Sequence, residues 1–355
     1  MKSAWLFSRN VDLAVFGGAA AVSFGALAIG GALGILHSDT PGWAWVPAII
    51  LCDVAHVWAT LFRTYLDPAE RRARAKLFTI VPIVGLAFAV ALYAIGEHVF
   101  WRTLAYLAIF HFVRQQYGWV ALYRARAGER SGRIVDTAAI YAATLFPLLY
   151  WHTHLPRRFQ WFVPGDIVAL PSFVMPAATV LYALALLAYA IRAATLWRRR
   201  TPNPGKDLVV VTTALSWLVG IVVFDSDYAF TVTNVFMHGI PYFALVFVHA
   251  RARLRETPEA LGARLTRSVP VFLVTLWVIA FAEEFLWDRT VWQDRAWLFG
   301  EPWDVGALKL ALVPLLALPQ LTHYVLDGFI WRRRTNPSVA SLVSRDALDV
   351  EPVAA

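Results

Sequence analysis

Residues 171–200 read PSFVMPAATVLYALALLAYAIRAATLWRRR, an apolar run closed by Arg198, Arg199 and Arg200. About 20 apolar residues, each rising 1.5 Å along a helix, cross the hydrocarbon of a bilayer. The stretch 171–197 is long enough to do so. It shows no period-two alternation, and an open sheet edge has no partners in lipid, so the segment is predicted to be a transmembrane helix.

Nine further stretches meet the same test: 11–36, 43–64, 77–95, 100–123, 134–151, 207–224, 228–250, 268–287 and 306–331. The fold class is therefore all-α, a polytopic membrane protein of ten helices. Residues 1–336 are expected to form one transmembrane domain, and 337–355 a short disordered cytoplasmic tail. Composition agrees: 59% of the 355 residues are hydrophobic and 16% charged, with mean hydropathy +0.56. A soluble domain carries about a quarter charged residues. The first run has Lys2 and Arg9 before it but no small-residue cleavage site, and reads as a retained helix. There is no internal repeat. The single cysteine, Cys52, excludes a disulfide framework.

The net charge of +8 does not point to nucleic acid, because the basic residues sit in short loops beside apolar runs. Arg71, Arg72, Arg74 and Lys76 follow the second run, and Arg124, Arg126, Arg130 and Arg133 the fourth. Lys206 joins the arginines after the sixth; Arg251, Arg253, Arg255, Arg264 and Arg267 follow the eighth, and Arg332 to Arg334 the tenth. The alternate loops are poor in Lys and Arg: 37–42, 96–99 and 225–227 have none, 288–305 sets two arginines against Asp288, Asp294, Glu301 and Asp304, and only 152–170, with Arg157 and Arg158, blurs the pattern. Positive loops face the cytoplasm, which predicts that both termini do too. Trp43, Trp45, Trp101, Trp151, Trp161, Trp287, Trp292, Trp297 and Trp303 fall at the opposite ends, as interfacial anchors.

Ionisable residues at membrane depth are costly and mark function by default. The second run carries Asp53 and His56, the fourth His111, Arg114 and Gln115, the eighth Asn234 and His238, and the tenth Gln320, His323 and Asp327. Spacings of three and four place each set on one helix face. These four helices run in the same direction in the predicted topology. His111 and His238 each lie 13 residues before a cytoplasmic arginine, His323 nine and His56 15, with Arg63 placed to snorkel. That is a spread of roughly 9 Å in depth.

Convergent imidazoles suit Fe, Zn or Cu without adding charge of their own. His56, His111, His238 and His323 are thus the expected metal ligands. Asp53, Asp327 and Asn234 are placed to orient them or to ligate. Arg114 needs a partner, either Asp53 or Asp327, or a substrate carboxylate or lipid phosphate. Gln115, Tyr117 and Tyr242 continue the polar faces. His249 reads as a surface residue, His37, His98, His152 and His154 as outer-loop bystanders, and Glu283 and Glu284 as water-accessible groups. A proton or ion path, or polar packing between helices, would use the same residues. No phosphate loop, Ser-His-Asp order or His-box cluster is present.

The pattern resembles the Brp/Blh family of bacterial membrane proteins, typified by β-carotene-cleaving dioxygenases that make retinal. Asp53-Val54-Ala55-His56-Val57-Trp58 keeps the histidine of the family's first motif but not its P-H-G-x-x-D setting, and His111-Phe112 matches the second. His238, with Asn234 and Tyr242 four residues either side, stands where the family has a His pair. His323-Tyr324-Val325-Leu326-Asp327-Gly328-Phe329-Ile330-Trp331-Arg332 is similar to its C-terminal motif, with the aspartate one place closer. The resemblance implies a bacterial cytoplasmic-membrane enzyme that holds Fe(II) on histidines and oxygenates a carotenoid- or lipid-like substrate. Asp53 and Asp327 would fix imidazole tautomers, and Arg114 would pair with one of them or grip a polar substrate end. The alternatives are a proton-coupled transporter, to which Gly239, Pro241, Pro314 and Pro319 lend broken helices, and a zinc-dependent lipid hydrolase.

Overall fold

The computed structural model describes residues 4–344. It is 78% helical, without strands among the described residues. Among the described residues nine helices are long and apolar enough to cross a membrane: α1 (Arg9–Ala32), α2 (Gly42–Arg63), α3 (Ala75–Ile95), α5 (Arg133–Thr153), α6 (Ser172–Arg198), α7 (Pro204–Val223), α8 (Asp227–Arg253), α9 (Val269–Trp292) and α10 (Gly306–Ile330). The chain is accordingly a multi-pass membrane protein. The fourth expected segment lies in α4 (Glu97–Ala127), 31 residues long. Arg102, His111, Arg114, Gln115, Gln116, Arg124 and Arg126 make it too polar for that test.

Local sequence sets the helix ends. Ser226 and Ser268 cap α8 and α9 through their hydroxyls, and Asn203 caps α7. Gly128, with φ 69°, closes α4 in the left-handed conformation that glycine adopts without penalty. Residues 46–54 of α2 are π-helical, and Thr60–Arg63 ends the helix in a tighter 3-10 turn. Such departures from α winding are frequent at functional sites. In α10 the helix is interrupted at Ala317, between Pro314 and Pro319.

Burial orders the bundle. In the most apolar window of α8, 72% of residues are buried within the protein, against 6% for α6. α8 packs on α1, α2 and α7, while α4 packs on α3, α5, α7 and α10. α6 leans on α5 and shows Leu181, Leu184, Leu187 and Ile191 outward. With no hydrocarbon–water difference to exploit in lipid, the centre is held by close packing and polar contacts.

Two polar clusters lock the end of the bundle where basic loops gather. Between α4 and α5, Glu129 and Asp136 pair with Arg124, Arg192 and Lys206. At the end of α2, Arg63 is fully buried rather than snorkelling. It pairs with Glu70 at 3.0 Å and donates to the Ile330 carbonyl at 3.0 Å. Asn336 joins Arg63 and Arg74. Beyond it, Pro337–Ser344 forms a helix where the sequence reading has disordered tail. Val339, Leu342 and Val343 repeat at helical spacing and bury against Leu6, Phe7 and Trp119. The rest of that tail, 345–355, lies outside the described residues.

Burial would raise the Glu129 carboxyl, but hydrogen bonds from Lys206 and Asn203 and the neighbouring charges hold it below its usual value. A carboxyl depressed in the folded state contributes stability above its unfolded value, and loses it as the pH falls toward the folded value. Thermal stability in detergent is expected to fall below pH 4.5, the ordinary carboxyl value. Glu129→Gln should lower the melting temperature at neutral pH and flatten this acid limb. An unchanged acid limb would remove Glu129 from the account.

Candidate metal centre

Four imidazoles meet at the centre of the bundle, one each from α2, α4, α8 and α10. His56, His111, His238 and His323 are all buried, and one nitrogen from each lies within 4.8 Å of the others. His56 Nε2 and His238 Nε2 are 2.9 Å apart, and His111 Nε2 and His323 Nε2 3.1 Å. Metal–imidazole bonds of about 2.1 Å put neighbouring ligand nitrogens about 3.0 Å apart at right angles and about 3.4 Å apart in a tetrahedron. The observed spacings fit such a shell. Cys52, also on α2, is buried but is not one of the four; its thiol donates to the Val235 carbonyl at 3.6 Å.

Helix packing sets this convergence. A Cβ added at Gly239 would lie 2.6 Å from Cys52 Sγ and 3.0 Å from the Cys52 carbonyl oxygen. Glycine at that point lets α2 and α8 approach closely, beside His238. Gln115 Nε2, on α4, donates to the His238 carbonyl at 2.9 Å and ties the two helices at the level of the cluster. The Phe112 ring lies parallel to His238 with centroids 3.6 Å apart, and Tyr324 stacks on His111 at 5.0 Å. These rings fix the imidazole planes and wall them with apolar surface.

A hydrogen-bonded chain leads away from His323. Its Nδ1 is 2.7 Å from Thr60 Oγ1, which is 2.9 Å from the Tyr242 hydroxyl. That hydroxyl donates to Asp327 Oδ1 at 2.7 Å. With Asp327 accepting as a carboxylate, one consistent direction runs from Nδ1–H through Thr60 and Tyr242 to Asp327. It leaves the Nε2 lone pair of His323 facing the other three rings. Asp327 thus acts through Thr60 and Tyr242, its own oxygen being 3.7 Å from His323 Nδ1. Asp53 Oδ1 stands 3.7 Å from His56 Nδ1, beyond hydrogen-bond reach.

The remaining candidates lie elsewhere. The Asn234 amide donates to Phe230 O and Thr233 Oγ1 on its own helix, and a Cβ at Gly220 would lie 2.6 Å from its Nδ2, so it packs against α7. Arg114, expected against Asp53 or Asp327, instead donates to the Tyr141 hydroxyl and lies over the Tyr117 ring at 4.8 Å. It leaves α4 on the side turned toward α5, where neither aspartate reaches. Glu283 and Glu284 are buried rather than water-accessible, and Trp58 Nε1 donates to Glu283 at 2.5 Å. His249 is buried too, edge-on to Trp331 at 5.4 Å. His37, His98, His152 and His154 are not among the converging nitrogens. Thr60 was missed from sequence, although it follows His56 by four residues and so shares its face.

Comparison with family models, with curated proteins and with solved structures found no match.

Gly239→Ala should cost about 1–3 kcal/mol by overpacking α2 against α8, read as a lower melting temperature in detergent. Gly118→Ala on α4, where nothing lies within 4 Å of the new Cβ, should be neutral or slightly stabilising. Equal effects at the two positions would contradict the close approach at Cys52.

Proposed function

We propose that this chain is a membrane-embedded metalloenzyme, a non-haem iron oxygenase acting on a lipid-soluble, carotenoid- or lipid-like substrate. The observation that carries the reading is the meeting of four neutral-capable nitrogen donors in an apolar bundle centre. His56, His111, His238 and His323 would hold Fe(II) by their Nε2 atoms. The ion would supply the one-electron chemistry with dioxygen that side chains lack.

The protein's own residues do the rest. Thr60, Tyr242 and Asp327 keep the His323 proton on Nδ1 and make its ring a better donor. Phe112 and Tyr324 exclude water from the faces of His238 and His111 and present apolar surface to a hydrocarbon substrate. Asp53, 3.7 Å from His56 Nδ1, would orient that ring on closing by about 0.5–1 Å. The resemblance to the Brp/Blh family supports iron and a polyene substrate, and supports a bacterial cytoplasmic membrane as the location. The alternation of basic loops supports ten spans, α4 included, with both termini cytoplasmic.

A transporter is the rival reading, favoured by the interruption of α10 at Ala317, six residues before His323. Metal analysis of detergent-purified protein separates the two. About one iron per chain is expected, falling tenfold or more in His111→Ala and in His238→Ala. Absence of stoichiometric iron or zinc, unchanged by His111→Ala, would contradict both enzyme readings, and zinc in place of iron would favour a lipid hydrolase. In β-carotene-producing cells the family's reaction would bleach the pigment and release retinal.

Thr60→Val removes the link between His323 and Tyr242 at nearly constant volume. Metal affinity should fall about 10–100-fold while the fold persists, as measured by competition with a chelator. Unchanged affinity would strip the Thr60–Tyr242–Asp327 chain of its role.

A further inference from the structure

The centre leaves Arg114 unexplained, and its surroundings form a second site. A groove of about 620 Å³ between α4 and α5 is lined by Arg114, Tyr117, Arg133, Ile134, Thr137 and Tyr141. Arg133 Nη2 donates to the Tyr117 hydroxyl at 3.3 Å, and the Tyr117 and Tyr141 rings stack 5.4 Å apart. Among the described residues no carboxylate pairs with either guanidinium. The contrast with the next arginines is sharp: Arg124 and Arg192 each contact both Glu129 and Asp136. Two positive charges therefore stand side by side in an open groove, held in place by tyrosines and left without counter-charge.

The groove is also polarised along its length. Arg133 opens α5 next to the loop 128–132, so the charged end lies where the basic loops gather. One turn along α4 in the other direction stands Phe110, 65% exposed, and one turn beyond Tyr141 on α5 stands Leu145, 45% exposed. The helices are antiparallel neighbours, so these apolar side chains extend the charged groove as a strip of hydrocarbon. α6 continues that apolar surface beside α5. A soluble anion would find no use for the apolar strip. An amphiphile with a phosphate at one end and an acyl chain at the other fits both halves.

We propose that this groove binds an acidic glycerophospholipid, with the phosphate between Arg114 and Arg133 and the acyl chain along Phe110 and Leu145. Guanidinium groups pair with phosphate oxygens in a planar fork, and tyrosine hydroxyls supply further hydrogen bonds.

The test is native mass spectrometry of the full chain released from nanodiscs of equimolar phosphatidylglycerol and phosphatidylcholine. Wild type should retain phosphatidylglycerol over phosphatidylcholine by about tenfold. The double variant Arg114→Gln/Arg133→Gln should retain the two equally, while Arg198→Gln at the exposed end of α6 keeps the preference. Both variants change surface groups, and an unaltered melting temperature confirms that they fold. Equal retention by wild type, or an equal loss in Arg198→Gln, would overturn the site. Displacement of the lipid by millimolar inorganic phosphate would overturn the lipid as its occupant.

Discussion

An imidazole inside a bilayer must find a partner for each ring nitrogen, because neither lipid nor a dry helix bundle supplies water. Four of them on four helices meet that demand at Nε2 by turning that nitrogen toward one point, while the Nδ1 atoms of His56 and His238 have no hydrogen-bond partner. The crossing of α2, α4, α8 and α10 follows from it. Gly239 gives α2 and α8 the close approach the rings need, Gln115 ties α4 to the His238 carbonyl, and the π winding of residues 46–54 sets the register in which Asp53 and His56 arrive. The remaining helices are arranged around this core, with α6 at the rim facing outward.

The second requirement is to hold each ring in the right tautomer. For His323 this is met by a chain that draws on three helices: Thr60 from α2, Tyr242 from α8 and Asp327 from α10. Every donor in it has an acceptor, and the chain ends on a carboxylate. Such a network is worth having only when complete, since a half-satisfied polar group in a low-dielectric core costs more than an apolar one. His238 is held differently, by a parallel phenyl face and not by a hydrogen bond on Nδ1. The end of the bundle away from the tryptophan-rich loops is locked by ion pairs around Glu129, Asp136 and Arg63, which keeps the helices from splaying below the centre.

Apolar run length made the helices legible, because the bilayer thickness imposes it on every span alike. Segment 171–197 and helix Ser172–Arg198 coincide for that reason. α4 is the instructive exception: its apolar stretches 104–110 and 118–123 make it visible, but the polar residues between them are legible only as oddities until neighbouring helices are seen to pack on them. The four histidines were visible because ionisable groups at that depth are rare. Thr60 was not, since threonine is ordinary in a membrane helix and only its place one turn from His56 singles it out. Arg63, Glu283, Glu284 and His249 read as interfacial groups because they lie near helix ends, yet folding buries all four and sets Arg63 on Ile330, Glu283 on Trp58 and His249 on Trp331. Asn234 misled in the opposite way, sharing a face with His238 but spending its amide on its own helix. Periodicity gives the face of a residue, but what covers that face is decided by tertiary packing.

Whether His56, His111, His238 and His323 hold one metal ion together is decided by the metal's first shell. X-ray absorption at the metal edge, on protein purified with its native metal, reads that shell directly. A first shell dominated by imidazole nitrogen at about 2.1 Å is expected, with the multiple-scattering signature of four rings, reduced by one ring in each single His→Ala variant. A shell of oxygen or sulfur donors, or a nitrogen shell that keeps its ring count when any one of the four histidines is removed, would contradict it.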